Sequence, residues 1–348
     1  MSVAASRHPR NGSGFATASV TLASFILATL VFFAVIGLPP LGTLADLWRF
    51  AAGDAFSRSE TLVKTAPILL CALAAAIPGR LGLISVGAEG QLHAGAIAGT
   101  AVVLAVPDWP MALLMPAMLT AGIVGGAAWG GIAGLLRAWL EVNETITTLV
   151  LNYIAILLVN ALVFGVWRDP ANNGWPATAS FPDAASLPVW PGSRVHLGLA
   201  LGAVTAVGAA LLFWRGLFSE RVRLLRENRK LGETFGLDFR RYAVFVMLAG
   251  GGAAGLAGIA EVSAIQGRLQ PGLSVGYGLT GFLVAWLCGH RFLAILPVSV
   301  LIGGLIAAGD SLQLFAKVPA ASATILQALL FVTVLAVPGL MRRWRGTQ

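Results

Sequence analysis

Long apolar runs separated by short polar turns dominate this chain. The first lies at about 16–38 and is closed by Pro39-Pro40. Others follow at 61–78, 83–106, 111–136, 145–166, 196–214, 242–262, 278–290, 292–312 and 321–340. Most are roughly twenty residues long, enough for a helix to cross a hydrocarbon layer ~30 Å thick. The pattern predicts an all-α polytopic membrane protein of about ten transmembrane segments. Only His290-Arg291 divides the two segments near 278–312.

Two stretches break the pattern. Residues 215–241 form a charged island with eight Lys/Arg and four Asp/Glu. Residues 167–195 form a loop rich in Pro, Trp and Asn, longer than a simple connection needs. That loop reads either as a spacer or as a packed interfacial loop, and its tryptophans favour packing. No hydrophilic stretch is long enough for a separate soluble domain, so the chain reads as one membrane domain over 1–348.

Charge orients the segments. With the N-terminus inside, sixteen Lys/Arg fall on inner segments and seven on outer ones, which predicts N-in and C-in. The chain is 57% hydrophobic and 11% charged, with a net charge of +8. In a membrane protein that excess reads as inside-positive charge and attraction to anionic lipid, not as nucleic-acid binding. Cys71 and Cys288 lie in apolar segments and read as small buried hydrophobes. No His/Cys/acid cluster has metal-ligand spacing. Arg7 and Arg10 precede a run too long for a typical signal peptide, so 16–38 reads as a first membrane helix.

Candidate chemistry is sparse. No Walker A lysine, nucleophile elbow or zinc-protease motif is present, so neither ATP binding by that route nor catalysis is expected of this chain. The run Gly79-Arg-Leu-Gly-Leu-Ile-Ser-Val-Gly-Ala-Glu-Gly-Gln-Leu-His-Ala-Gly-Ala-Ile-Ala-Gly-Thr100 places Glu89, Gln91 and His93 among dense glycines. An intramembrane carboxylate is a functional candidate, or it satisfies N–H groups freed where a helix breaks. His93 reads as packing. Asn152 either hydrogen-bonds across helices or reads solute, and Asn143 and Glu144 cap the helix that holds it. Glu261 ends the seventh segment. Gln266, Tyr277 and Thr280 lie around a second glycine-rich break, and Asp310 and Lys317 flank an outer turn. Ser85-Val86-Gly87 and Ser274-Val275-Gly276 open the two interrupted segments, as inverted repeats would. The island reads as a short helix from a Ser219 cap to a Gly236 stop, with an apolar stripe of Val222, Leu225, Leu231 and Phe235. It lies on lipid or docks a soluble partner.

Four stretches resemble the permease subunits of bacterial ABC importers for simple sugars and nucleosides, within the group that includes branched-chain amino acid permeases. Ser85-Val-Gly-Ala-Glu-Gly-Gln91 is similar to the N-terminal signature, its Glu-Gly-Gln pointing to the purine-nucleoside branch. Asn143-Glu-Thr-Ile-Thr-Thr-Leu-Val-Leu-Asn-Tyr-Ile-Ala155 and Trp167-Arg-Asp-Pro170 resemble the fifth helix and the start of its outer loop. Gly276-Tyr-Gly-Leu-Thr-Gly-Phe-Leu-Val-Ala-Trp-Leu-Cys-Gly289 resembles a late-helix motif. The island sits where the family carries its coupling segment. Arg223, Asn228 and Gly236 match that segment, while Arg226 and Arg229 replace its glycine and proline, and Leu231-Gly232 its paired alanines.

The resemblance implies a multi-pass permease of the inner (plasma) membrane that moves a purine nucleoside or simple sugar. Glu89, Gln91, Asn152, Tyr277 and Thr280 would line its path. Arg223, Arg226, Glu227, Asn228, Arg229 and Gly236 would couple to ATPase subunits that bind the ATP, since this chain needs no cofactor. A second permease, in a heterodimer, and an extracytoplasmic binding protein complete the implied assembly, with membrane lipid around it. The runner-up is an ion-coupled secondary transporter using Glu89 or Glu261.

Overall fold

Glycine and proline set several of the helix boundaries in this chain, among them Pro39-Pro40, Gly82, Pro110, Gly216 and Gly276. The structure, a computed structural model, describes residues 11–171, 174–315, 318–319 and 321–346. Its helices are α1 (Asn11–Val35), α2 (Pro40–Trp48), α3 (Ala55–Leu81), α4 (Ala88–Ala105), α5 (Met111–Leu140), α6 (Glu144–Phe164), α7 (Leu197–Trp214), α8 (Leu217–Glu227), α9 (Arg229–Thr234), α10 (Phe239–Glu261), α11 (Tyr277–Leu287), α12 (Phe292–Phe315) and α13 (Ala321–Gly346). Among the described residues the isolated β-bridge is Val189 with His196.

Among the described residues, seven helices are long and apolar enough to cross a membrane: α3, α5, α6, α7, α10, α12 and α13. The apolar part of α1, Ser19–Val35, and α11 are shorter. Helix α4 is 18 residues long but carries Glu89, Gln91 and His93 near its start. Pro39 and Pro40 do more than close α1. They open α2, with Pro40 at the first helical position, where its missing N–H costs nothing. The thin divider at 290 is a tight turn, in which Gly289 (φ 56°) and His290 (φ 58°) are both left-handed.

Residues 59–303 form one compact unit. Helix α3 is its core helix, with Ile68 through Ala76 almost fully buried. It reads as apolar all round because neighbours cover it on every side. Helices α4, α5 and α10 meet backbone to backbone. A Cβ on Gly255 would strike the Gly122 carbonyl and Gly126, and one on Gly258 would strike the Leu92 carbonyl. Lipid tails are as apolar as leucine, so small residues that allow such close contact supply the packing energy between membrane helices.

The second unit comprises the segments up to Arg58 and from Gly304 onward. There α1 packs along α13, and Phe50 stacks on Phe315 with centroids 5.5 Å apart. Asp310 does not flank a turn, because α12 runs on to Phe315 and leaves it exposed on the helix. Lys317 lies outside the described residues.

The loop at 167–195 is packed in its described part, though not by its tryptophans. Trp175 and Trp190 are exposed, whereas Ala177, Thr178, Ala185 and Leu187 are buried. Thr178 exchanges hydrogen bonds with Leu269. Phe181 N–H donates to the Gly267 carbonyl at 2.7 Å. Leu187 N–H donates to Ser263 Oγ at 3.1 Å, and Ser263 in turn donates to the Ala185 carbonyl. The loop is therefore tied to the end of α10.

Candidate functional site

The predicted segment at 83–106 does not begin as a helix. Gly82, at φ 88°, ends α3, and residues 83–86 belong to no helix before α4 starts at Ala88. Non-helical backbone inside an apolar protein needs hydrogen-bond partners, and α6 supplies them from one face. Ile84 N–H donates to Glu144 Oε1 (3.2 Å), and Thr145 Oγ1 donates to the Ile84 carbonyl (3.1 Å). Val86 N–H donates to Thr148 Oγ1 (3.2 Å). Asn152 takes the Gly90 N–H on Oδ1 (2.8 Å) and gives Nδ2–H to the Val86 carbonyl (2.9 Å). Residues 144, 148 and 152 recur every four positions, so they share one helix face and act as a strand edge made of side chains.

Asn143 caps α6 by accepting from Thr145 and Ile146 N–H, as expected. Glu144 has a different task. Besides holding Ile84, its Oε2 lies 3.2 Å from Arg137 Nε, an ion pair whose angle is too poor for a hydrogen bond.

The second break meets the first. Ser274 Oγ accepts from Gly276 and Tyr277 N–H, and Gly276, at φ 90°, turns the chain into α11. Gly278 N–H then donates to Glu89 Oε2 at 2.7 Å. Glu89 lies in the first turn of α4, so one carboxylate sits at the positive ends of two helix dipoles. The approach needs glycine, because a Cβ on Gly278 would collide with the Glu89 backbone. The two Ser-Val-Gly openings thus lead to one junction.

The five expected path residues are only partly gathered there. Glu89, Asn152, Tyr277 and Thr280 are buried on the α4, α6 and α11 sides. Gln91 faces α5, its Nε2 beside Gly130, and its Oε1 and Ser85 Oγ are buried without a protein partner. His93 packs as expected, its Nδ1 2.7 Å from the Glu89 carbonyl. Sequence reading missed Lys64, whose Nζ lies 3.5 Å from the Tyr277 hydroxyl and whose charge acts on buried Glu261. Its signal was available: a lysine within an apolar run.

The island folds as two helices, not one. Asn228 leaves helical geometry, ends α8 and caps α9 by accepting from Leu231 N–H at 3.0 Å. Ser219 is not the N-cap, since Gly216, at φ 133°, opens α8 and Ser219 Oγ donates back to the Phe213 carbonyl. Gly236 does end α9. Its φ is 77°, its N–H reaches the Glu233 carbonyl, and Leu237 N–H reaches Gly232, a Schellman turn. The apolar stripe splits: Val222 and Leu225 are buried, while Leu231 is 44% and Phe235 71% exposed. Arg223 pairs with Glu227 at 2.9 Å. Arg229 pairs with Glu233 at 2.8 Å and reaches Glu141 at 3.7 Å, its guanidinium 4.5 Å from the Phe239 ring centre.

Comparison with known proteins agrees with this architecture. Residues 57–335 match the family described as the branched-chain amino acid transport system permease component. A glucose ABC transporter permease protein of Haloferax volcanii is 34% identical over 80% of this chain and 75% of its own length. A nucleoside ABC transporter permease protein of Lactococcus lactis is 29% identical over 80% of this chain and 78% of its own. A guanosine ABC transporter permease protein of Bacillus subtilis is 29% identical, covering 83% of each chain. With a match across four-fifths of its length and a multi-helix apolar fold around two interrupted helices, this chain belongs to the ABC transporter permease family of the branched-chain amino acid transport systems.

Proposed function

We propose that this permease subunit imports a solute built on a polyhydroxylated ring, a nucleoside or a simple sugar, past the α4–α11 junction. The relatives named for glucose, nucleoside and guanosine support that class, because a sugar ring is what those solutes share. Glu89, Gln91, Asn152, Tyr277 and Thr280 line the path in this reading. All five are buried polar side chains within apolar helices, and polar groups so placed are candidates to meet a solute or water.

One observation carries the coupling role of 215–241. A continuous polar chain runs from the island to the junction. Arg229 meets Glu141, the Glu141 carbonyl accepts from Arg137, and Arg137 pairs with Glu144. Glu144 holds Ile84, Asn152 holds Val86 and Gly90, and Glu89 holds Gly278. Motion imposed on α8–α9 would reach both broken helices through these bonds.

In this proposal the island faces the cytoplasm, together with Arg80, Arg137 and Arg291. Arg223, Arg226, Glu227, Asn228, Arg229 and Gly236 shape the docking segment, and exposed Leu231 and Phe235 enter the ATPase surface. The ATPase subunits bind and hydrolyse ATP. A binding protein delivers solute to the 167–195 side, and a second, different permease completes the path within the lipid. Reconstituted transporter tests this reading. Guanosine or glucose uptake should require ATP hydrolysis and survive collapse of the proton gradient. Uptake abolished by a protonophore at full ATP would favour ion coupling instead.

A further inference from the structure

A pocket of about 360 Å³ opens beside the island. Its walls include Arg80 from the last turn of α3, Phe213 from the end of α7, and Ser219, Arg223, Arg226 and Glu227 from α8. Its charges do not balance. Glu227 is engaged by Arg223 at 2.9 Å. Ser219 is engaged by the Phe213 carbonyl. Among the described residues, Arg80 and Arg226 form no ion pair, although each is close enough to feel the other's charge. Both also act on His290, whose imidazole is pushed below its usual range first by burial and then by these two arginines. The Arg80 guanidinium lies 5.8 Å from the Phe213 ring centre and 5.7 Å from that of Phe292. Those rings ease its charge but accept none of its N–H donors in the guanidinium plane.

Like charges held together at a half-enclosed site repel, and among the described residues neither guanidinium has a carboxylate partner. A fork of guanidinium donors suits a tetrahedral oxyanion better than a single point charge does. Arg80 and Phe213 each end a membrane-spanning helix, so the pocket opens at headgroup depth. We infer that this pocket binds a phosphate-type anion between Arg80 and Arg226, supplied either as an anionic lipid headgroup or as a free phosphate.

The test follows thermal unfolding of the full-length chain in neutral detergent. It is titrated with phosphatidylglycerol or inorganic phosphate, against phosphatidylcholine and sodium chloride at matched ionic strength. One or both anions should raise the midpoint of the wild type. Arg226→Gln should raise the half-saturating concentration about tenfold, the loss of one charge-assisted contact. Arg80→Gln combined with Arg226→Gln should abolish the response. Arg221→Gln, an exposed arginine outside the pocket, should titrate like wild type. A response to phosphatidylglycerol alone assigns the site to a headgroup, and a response to phosphate alone assigns it to a soluble compound. Equal behaviour of Arg226→Gln and Arg221→Gln would overturn the inference. So would anion responses no larger than those to chloride, or loss of ATPase co-purification in Arg226→Gln with anion binding unchanged. The last result would assign the pocket to an acidic protein surface.

Discussion

Glu89 in the first turn of α4 accepts a 2.7 Å hydrogen bond from the backbone N–H of Gly278 in the first turn of α11. The bond joins residues 189 positions apart. It ties together the starting points of two interrupted helices and pairs an N–H of α11 that would otherwise be left open in an apolar interior.

Glu89→Ala should therefore damage both the fold and transport. Loss of a buried charged acceptor costs about 1–3 kcal/mol, visible as a lower unfolding midpoint, and uptake should fall with it. Glu89→Gln keeps an acceptor oxygen and should retain most of the stability. Wild-type uptake by Glu89→Gln would reduce the carboxylate to a capping role.

Gly278→Ala probes the same contact from the other side. Its methyl would enter the Glu89 backbone, and overpacking of that kind costs about 1–3 kcal/mol. Lower yield and a lower midpoint should follow, and an unchanged midpoint would mean that the junction is looser than described.

Asn152 holds the Gly90 N–H in the first turn of α4 and the Val86 carbonyl just before it. Asn152→Leu should cost about 1–3 kcal/mol by stranding both. Asn152→Asp keeps the bond to Gly90 but sets a carboxylate against the Val86 carbonyl. Thermal unfolding should rank wild type above Asp and Leu.

Charge reversal at Arg223, Arg226 and Arg229 should separate the ATPase from this chain on co-purification. Two of these arginines also brace the segment, through Glu227 and through Glu233 with Glu141. Leu231→Ser with Phe235→Ser is the cleaner variant, since both side chains are exposed and support little of the fold. It should weaken association and leave the midpoint nearly unchanged. Full co-purification of both variants would remove the island from the docking role.

His196 gives a pH dependence outside the membrane helices. It is buried, its Nδ1 accepts from Gly198 N–H at 3.2 Å, and burial pushes its pKa down to about 4. The unfolded imidazole titrates near ~6.5 and so binds the proton more readily than the folded one. Its contribution to stability is therefore complete above that value and is lost as the pH falls toward 4, by roughly 3 kcal/mol at most. His196→Asn keeps a capping side chain and cannot titrate there. Its unfolding midpoint should change less than wild type between pH 7 and pH 4.5.

The apolar runs made ten helices legible, because spanning length and hydrophobicity are properties of single segments. Glycine spacing marked both interrupted helices for the same reason. The starting residue of α4 was not legible. It depends on Glu144, Thr148 and Asn152 of another helix satisfying residues 84–90, a contact that no local pattern encodes. The split of the island at Asn228 was hidden for a related reason: Val222 and Leu225 are buried, while Leu231 and Phe235 turn outward. The tryptophans of the 167–195 loop misdirected the expectation. Backbone hydrogen bonds to Gly267 and Leu269 and a bond to Ser263 hold that loop, while Trp175 and Trp190 point away.

The most direct measurement is uptake of radiolabelled guanosine and glucose into proteoliposomes holding the complete transporter, with either active or hydrolysis-deficient ATPase subunits. At least one solute should accumulate with the active ATPase in the presence of a protonophore, and none with the deficient one. Accumulation that persists without hydrolysis, or that vanishes with the proton gradient while ATP is plentiful, would contradict ATP-driven import.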